Sequence, residues 1–140
     1  MEIDIIDTPA GVDNTLFKAC VLEVLAGEHK TSEYVNIIFL GRDDLRLMKN
    51  EYFKKDVYTD VIAFNLNDPD ENIEGEIYLS YEQIIDNAKT YETIPSEELN
   101  RVLIHGCLHL CGYEDNTLTL KAQMTELENH YMAKQKDLNN

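Results

Sequence analysis

The hydrophobic pattern of the chain contains four short stretches that predict β-strands. The first, EIDIID from Glu2, alternates acidic and apolar residues, as a half-buried strand does. The other three are apolar runs, which are YVNIIFL from Tyr34, TDVIAFNL from Thr59 and GEIYLS from Gly75. Only the polar segment NDPDENIE separates the last two, and such a connection is typical of neighbouring strands that run antiparallel.

Five longer stretches carry apolar residues at helical spacing and predict α-helices. They are DNTLFKACVLEVLAGEH, RDDLRLMKNEYF, SYEQIIDNAKTYE, SEELNRVLIHGCLHLC and TLTLKAQMTELENHYMAKQK. Asp13 and Ser96 are expected to start the first and fourth helices, and the final KDLNN is expected to fray. Because no linker divides the chain, residues 1–140 are expected to form one α+β domain, with a mixed four-stranded sheet packed with about five helices.

The composition narrows the setting of this fold. Twelve basic residues stand against 27 acidic ones, which disfavours a broad nucleic-acid-binding surface but allows a local basic cleft or a basic protein partner. The three cysteines do not fit a disulfide framework and are expected to be reduced. Because no apolar run reaches the roughly 18 residues of a membrane span and the start lacks signal-peptide features, we expect a soluble, cytoplasmic protein.

The segment HGCLHLCGYEDN contains two of the four histidines and two of the three cysteines. His105 and His109 differ by about 40° around a helix, so both side chains lie on one face and can bind the same metal ion. Cys107 and Cys111 lie roughly 200° and 240° from His105, toward the opposite face. We therefore interpret the thiols as small core residues, and a mixed site of cysteine and histidine ligands is the less favoured alternative.

A carboxylate can complete this histidine pair. Gly112 is expected to end the helix and reverse the chain, which brings Glu114 or Asp115 back toward the histidines. Two histidines, one carboxylate and a water molecule form the arrangement of catalytic zinc, and such an ion acidifies its water for hydrolysis. The alternative is a histidine pair with ordinary polar partners. The apolar surroundings favour a metal site at the end of a central buried helix, because two buried imidazoles need partners.

Three segments of the chain resemble one protein family. HGCLHLCGYEDN closely resembles the signature H-G-x-L-H-L-x-G-Y-D-H of the YbeY family, the metal-dependent endoribonucleases and ribosomal RNA maturation factors of bacteria. YTDVIAFNL resembles the family segment T-D-V-L-S-F, and GEIYLS resembles its strand G-D-I-x-I-S, in the same order along the chain. The resemblance covers the second strand to the last helix. It implies an α+β fold with a mixed sheet and one metal-dependent hydrolase domain over residues 1–140.

The resemblance also implies which residues bind the metal. His105 and His109 match the first two ligands of the family, and Asp115 stands where most relatives have a third histidine. Aspartate is an acceptable zinc ligand, but its charge lowers the Lewis acidity of the ion and favours harder metals. One Zn²⁺ per chain is therefore expected, with Mn²⁺ or Mg²⁺ as alternatives.

A second departure from the family concerns an arginine six residues before the threonine of the T-D-V segment. Phe53 stands at that position here and cannot hold a phosphate. Lys54 and Lys55 are its neighbours and are candidates to replace it, and Arg101 lies one helical turn before His105 on the same face. Arg101 is a weak catalytic candidate, since a salt bridge to an acidic residue explains it equally well.

The resemblance implies a single-strand-specific endoribonuclease that acts in 3′ maturation of small-subunit ribosomal RNA and in ribosome quality control. Peptidase chemistry is disfavoured because Gly106 stands where H-E-x-x-H enzymes carry their general base. The alternatives are another metal-dependent hydrolase, or a ribosome-assembly factor with a structural metal. The expected partners are single-stranded ribosomal RNA and a basic ribosomal protein or the small ribosomal subunit. The acidic surface is complementary to a basic protein, and no membrane partner is expected.

Overall fold

The computed structural model describes residues 1–138, with side chains as far as Gln135. Its elements are β1 (Glu2–Ile6), α1 (Asn14–Gly27), β2 (Ser32–Phe39), α2 (Arg42–Phe53), β3 (Val61–Asn65), β4 (Ile73–Leu79), α3 (Tyr81–Thr90), α4 (Pro95–Leu110) and α5 (Leu118–Leu138). The predicted α+β class, with four strands and five helices, is confirmed. Of the tail expected to fray, residues 136–138 continue α5, and residues 139 and 140 lie outside the described residues.

The four strands form one mixed sheet in the order β1-β2-β4-β3. β1 and β2 are parallel, as are β2 and β4. β3 and β4 are antiparallel, with Val61 opposite Leu79 and Asn65 opposite Gly75. The antiparallel pair predicted from the short polar connection is thereby confirmed, and β3 lies at one edge of the sheet.

Helix α4 lies at the centre of the fold, where it contacts α1, α3, α5, β3 and β4. Its residues from Val102 to Leu110 are buried except for the two histidines, which are half-buried, so the predicted central buried helix is confirmed. Close approach to the sheet depends on two glycines. A Cβ atom on Gly106 would lie 3.1 Å from Ile77 Cγ2, and one on Gly75 would lie 2.7 Å from Leu110 Cδ1.

The ends of α4 differ in how well the sequence predicted them. The helix begins at Pro95 with Ile94 as its N-cap, so the prediction that Ser96 starts it was wrong by one residue. Proline fits the first helical position because its missing N–H has no partner there in any case. At the other end, Gly112 adopts a φ of 103°, a conformation that favours glycine, and the helix ends as predicted.

Helix α2 contacts α3 and the edge strand β3. Its last turn brings Tyr52 and Phe53 against Phe64 of β3, with ring centroids 5.3 and 5.8 Å apart. None of the helices in residues 1–138 is long and apolar enough to cross a membrane.

Candidate metal centre

His105 and His109 project from one side of α4 with their rings close together. Their Nε2 atoms are 3.0 Å apart, and the two ring planes are inclined at 79°. The spacing of four residues on a regular helix is sufficient to produce this arrangement. Both nitrogens therefore face one common point beside the helix.

The turn that follows α4 brings Asp115 to the same point. The backbone N–H groups of Gly112 and Tyr113 donate to the carbonyls of His109 and Leu108, which fixes the reversal of the chain. Asp115 Oδ2 then lies 3.2 Å from His105 Nε2 and 3.7 Å from His109 Nε2.

These three separations fit a metal ion. Ligand atoms at about 2.0–2.1 Å from a tetrahedral zinc ion are themselves about 3.3 Å apart. The separations found here are 3.0, 3.2 and 3.7 Å, which bracket that value. His105, His109 and Asp115 are the only group of three or more His, Cys, Asp or Glu side chains with converging ligand atoms within residues 1–138.

The other ring nitrogens fix the tautomers of both histidines. His105 Nδ1 lies 2.7 Å from Glu128 Oε2, and His109 Nδ1 lies 2.9 Å from the carbonyl oxygen of Tyr113. Each partner is an acceptor, so in the neutral rings Nδ1 carries the proton and Nε2 has a lone pair. The two Nε2 lone pairs and the Asp115 carboxylate then point at one position, which a metal ion or a proton on His105 can occupy. Carboxylate or carbonyl partners at the far nitrogen are typical of metal-binding histidines.

The electrostatics of the two rings differ. Burial lowers the pKa of His105, but the hydrogen bond and charge of Glu128, with the charges of Asp115 and Asp60, outweigh it and raise the pKa above its ordinary value. Burial and the neighbouring His105 lower the pKa of His109, which favours its neutral, metal-binding form.

Glu128 is the functional residue that sequence reasoning missed. It is 8% exposed and lies on α5, where its carboxylate joins His105 to Arg101 Nη1 at 3.2 Å. The sequence does contain a signal for it. Met124, Glu128 and Tyr131 share the buried face of α5, and an acidic residue on a buried face requires a charged or hydrogen-bonding partner.

A second carboxylate holds the turn that carries Asp115. Glu28, at the end of α1, accepts hydrogen bonds from the hydroxyls of Tyr113, at 2.5 Å, and Tyr131. The bond to Glu28 is the main reason that the pKa of Tyr113 is raised to about 12. Since the Tyr113 carbonyl orients His109, this contact connects α1 to the metal centre.

A cavity of about 680 Å³ opens beside His105 and Asp115, between α4, α5 and the loop that joins α3 to α4. Asp60, just before β3, also lines it and accepts a hydrogen bond from Asn87 at 2.9 Å. Burial raises the pKa of Asp60. The cavity gives the metal position an open side, which a hydrolytic site needs for water and substrate.

Comparison with known proteins identifies the family of this chain. The model of the family described as Endoribonuclease YbeY matches residues 3–136. This chain belongs to the YbeY family. A relative named Endoribonuclease YbeY from Amoebophilus asiaticus is 42% identical over 105 residues, covering 75% of this chain and 71% of that protein. Another of the same name, from Chlorobium limicola, is 35% identical over 125 residues, covering 89% of this chain and 86% of that protein.

The YbeY fold is also found among solved structures. A protein of Thermotoga maritima with a known solution structure superposes with a TM-score of 0.64 at 25% identity, covering 96% of this chain and 92% of that one. The resemblance inferred from three short segments therefore extends to the whole domain.

Phe53, which stands where the family resemblance implies an arginine, packs against the edge strand. The Phe53 ring stacks on Phe64, and the ammonium of Lys49 lies 4.7 Å from the centroid of Phe53. Lys49 was not among the predicted site residues. Burial and the nearby Lys55 lower its pKa, while Asp115 and Asp60 raise it, so the lysine lies within electrostatic range of the metal centre.

The remaining predicted residues divide into those near the site and those away from it. Arg101 lines the cavity, as a catalytic candidate would. Its guanidinium also bonds to Glu128 and, at 2.8 Å, to Asn129, so the alternative of a salt bridge to an acidic residue applies as well. Lys54 and Lys55 are exposed just after α2. Glu114, the alternative carboxylate, is not part of the converging group of ligand atoms in the described chain.

The cysteines lie where the helical argument placed them. Cys107 is buried in the core, and Cys111 is partly buried and packed against it. Burial raises the pKa of Cys111 to about 12, and that of Cys107 well above its ordinary value. Neither thiol joins the group of converging metal-ligand atoms within residues 1–138.

Proposed function

We propose that this protein is a metal-dependent endoribonuclease that hydrolyses single-stranded ribosomal RNA, with His105, His109 and Asp115 as the metal ligands. The convergence of these three ligand atoms at 3.0 to 3.7 Å carries the proposal. Membership of a family whose relatives are named endoribonucleases supports RNA as the substrate.

The donor set supports zinc as the ion, with Mn²⁺ or Mg²⁺ as alternatives. Two imidazoles suit zinc, whereas the carboxylate of Asp115 adds a charge that harder ions tolerate better. A divalent ion held there supplies Lewis acidity, which makes water more acidic and offsets the charge on phosphoryl oxygens. Phosphodiester cleavage depends less than peptide hydrolysis on a general base beside the first histidine, where Gly106 stands, because the metal would activate the water.

The chain's own residues hold and orient the site. Glu128 and the Tyr113 carbonyl keep the protons of both histidines on Nδ1, so the two Nε2 atoms remain available. Arg101 neutralises the buried Glu128 and lies in the cavity wall, where a phosphate of the substrate can reach it. Lys49 is a second cation within electrostatic range of Asp115.

A structural role for the metal is disfavoured. Structural zinc sites are closed by four protein ligands, whereas three ligand groups converge here in the described part of the chain, beside a cavity.

The formal charge of −15 supports a basic ribosomal protein, or the small ribosomal subunit, as a docking partner. Because ribosomes are cytoplasmic in bacteria, a ribosomal partner implies a cytoplasmic location for this protein.

The test is cleavage of single-stranded and double-stranded RNA of the same sequence by purified protein, with and without added Zn²⁺, Mn²⁺ or Mg²⁺. We expect metal-dependent cleavage of the single strand alone, and none by His109→Ala purified in the same way. Equal cleavage by this variant would indicate a contaminating nuclease. Metal binding without cleavage of any RNA would refute the proposed reaction.

A further inference from the structure

Glu98 is an unusual side chain in the cavity that adjoins the metal centre. It is only 5% exposed, and no group of residues 1–135, whose side chains are described, donates a hydrogen bond to its carboxylate. Burial, with the charges of Asp60 and Glu128, raises its pKa, and Arg101 acts in the opposite direction. Its oxygens are not among the fully buried side-chain atoms without a partner, so the carboxylate opens to the cavity, where a ligand can supply donors.

Glu98 also lies in line with the metal ligands. Residues 98, 102, 105 and 109 follow one stripe of α4, within about 60° of each other around the axis. Glu98 precedes His105 by seven residues, or about 10 Å along the helix. This length is comparable to the reach from a phosphate group to the far edge of its own purine base, and the cavity spans it from Asp115 to Glu98.

The charge of the cavity favours a base and not a phosphate at the Glu98 end. Five carboxylates line it, against the single guanidinium of Arg101; they are Asp60, Glu97, Glu98, Asp115 and Glu128. At the Glu98 end, away from the metal position, Glu97 and Glu98 repel phosphate oxygens but attract the N–H groups of a nucleobase. Tyr91 lies at the rim with 68% of its surface exposed, where a ring can stack on an unpaired base.

We propose that this cavity binds a guanine base of the RNA, with the Glu98 carboxylate accepting hydrogen bonds from the base N1–H and N2–H groups. The inference rests on the proposed endoribonuclease function. An ionised carboxylate only accepts hydrogen bonds, and it offers two oxygens side by side. Guanine has two adjacent N–H donors on its Watson–Crick edge. Adenine, cytosine and uracil each place an acceptor beside the donor, which would face a carboxylate oxygen.

The substrate side of the test uses short single-stranded RNAs that contain one guanosine in a run of uridines. Inosine replaces that guanosine in a matched RNA, because it lacks only the N2 amino group. Binding is measured with metal-free protein in EDTA, and cleavage with metal-loaded protein. We expect inosine to weaken binding and to lower kcat/KM by about tenfold, as the loss of one hydrogen bond to a charged group does.

The protein side uses Glu98→Gln, which has nearly the same shape but presents one acceptor and one donor. The ratio of guanosine to inosine affinity should fall toward one in this variant. Glu126→Gln is the matched control, because Glu126 carries the same charge, is exposed on α5 and does not line the cavity. It should keep the ratio of the unaltered protein, and thermal melts establish that both variants fold.

The possible outcomes separate this inference from the proposed function. Metal-dependent cleavage with equal affinity for guanosine and inosine RNA would overturn the guanine site and leave the nuclease intact. A ratio unchanged by Glu98→Gln, or lowered equally by Glu126→Gln, would also overturn it, and so would tight binding of a second divalent ion that Glu98→Gln removes. A guanosine preference in EDTA without any cleavage would support the site and refute the nuclease.

Discussion

Glu128 Oε2 of α5 accepts a hydrogen bond from His105 Nδ1 of α4 at 2.7 Å. The same carboxylate binds Arg101, so one buried side chain connects the ligand helix to α5 and to a cation in the cavity wall. This contact makes the metal centre depend on packing between two helices, and not on α4 alone.

Replacing Glu128 with glutamine should weaken metal binding by about 10- to 100-fold, as the loss of a partner to a ligating histidine typically does. The glutamine keeps the size of the side chain but removes the charge that holds the proton on His105 Nδ1. The measurement is competition for Zn²⁺ against a chromophoric chelator. Glu126→Gln, on the exposed side of the same helix, is the control and should bind like the unaltered protein. Equal affinities for the two variants would show that His105 needs no such partner.

The thiols should be dispensable for the metal. Changing both Cys107 and Cys111 to alanine should leave the Zn²⁺ content unchanged and lower the free energy of unfolding by about 1 kcal/mol or more, since buried side chains are shortened. Because burial raises the pKa of Cys111 to about 12, its thiol should also react slowly with alkylating reagents at neutral pH. Elemental analysis checks the metal content, denaturant titration checks the stability, and the rate of alkylation checks the reactivity of the thiol. Loss of the ion from a folded double variant would contradict the helical-face argument.

Glu98 should make stability depend on pH. Burial raises the pKa of Glu98 in the folded state, so the ionised form is less stable there than in the unfolded chain. That penalty is absent below the unfolded pKa of about 4.3 and develops as the pH rises through the folded pKa. Glu98→Gln should therefore gain free energy of unfolding relative to the unaltered protein as the pH rises from 5 to 7. Denaturant titrations across this range measure it, and exposed Glu97→Gln is the control. A difference that is constant with pH would contradict the prediction.

RNA binding should depend only weakly on salt. Few cations are near the site: Arg101 lines the cavity, and Lys49 is within electrostatic range of Asp115. Two or three phosphate contacts predict a slope of log affinity against log salt of roughly −1.5 to −2 for a single strand. Lys49→Ala should make this slope shallower by about 0.7 and weaken binding to all sequences alike. Lys18→Ala, on α1, is the matched control. A much steeper slope would indicate an extended basic face.

Much of this fold could be predicted because local patterns and tertiary structure agree. The short polar connection between residues 66 and 73 predicted an antiparallel pair, and β3 and β4 form it. Gly112 predicted the end of α4 and the reversal that brings Asp115 to the histidines. These features depend on residues close in sequence, whose spacing determines their geometry.

Contacts between residues distant in sequence were not predicted. Glu128 is 23 residues from His105, and Tyr113 is 85 residues from Glu28, so neither spacing nor periodicity relates them. Lys49 approaches the site because α2 packs against the edge strand β3. The unpartnered state of Glu98 is likewise a property of the packed cavity, whereas the sequence shows only an acidic residue in the first turn of a helix.

The central claim is that His105, His109 and Asp115 hold one metal ion on which RNA cleavage depends. The most direct measurement combines elemental analysis and RNA cleavage on the same preparations of the unaltered protein, Asp115→Ala and Glu114→Ala. We predict about one ion per chain and metal-dependent cleavage for the unaltered protein and Glu114→Ala, because Glu114 is outside the ligand group. Asp115→Ala should lose both. Full metal content in Asp115→Ala, or loss of the ion in Glu114→Ala alone, would contradict the assignment.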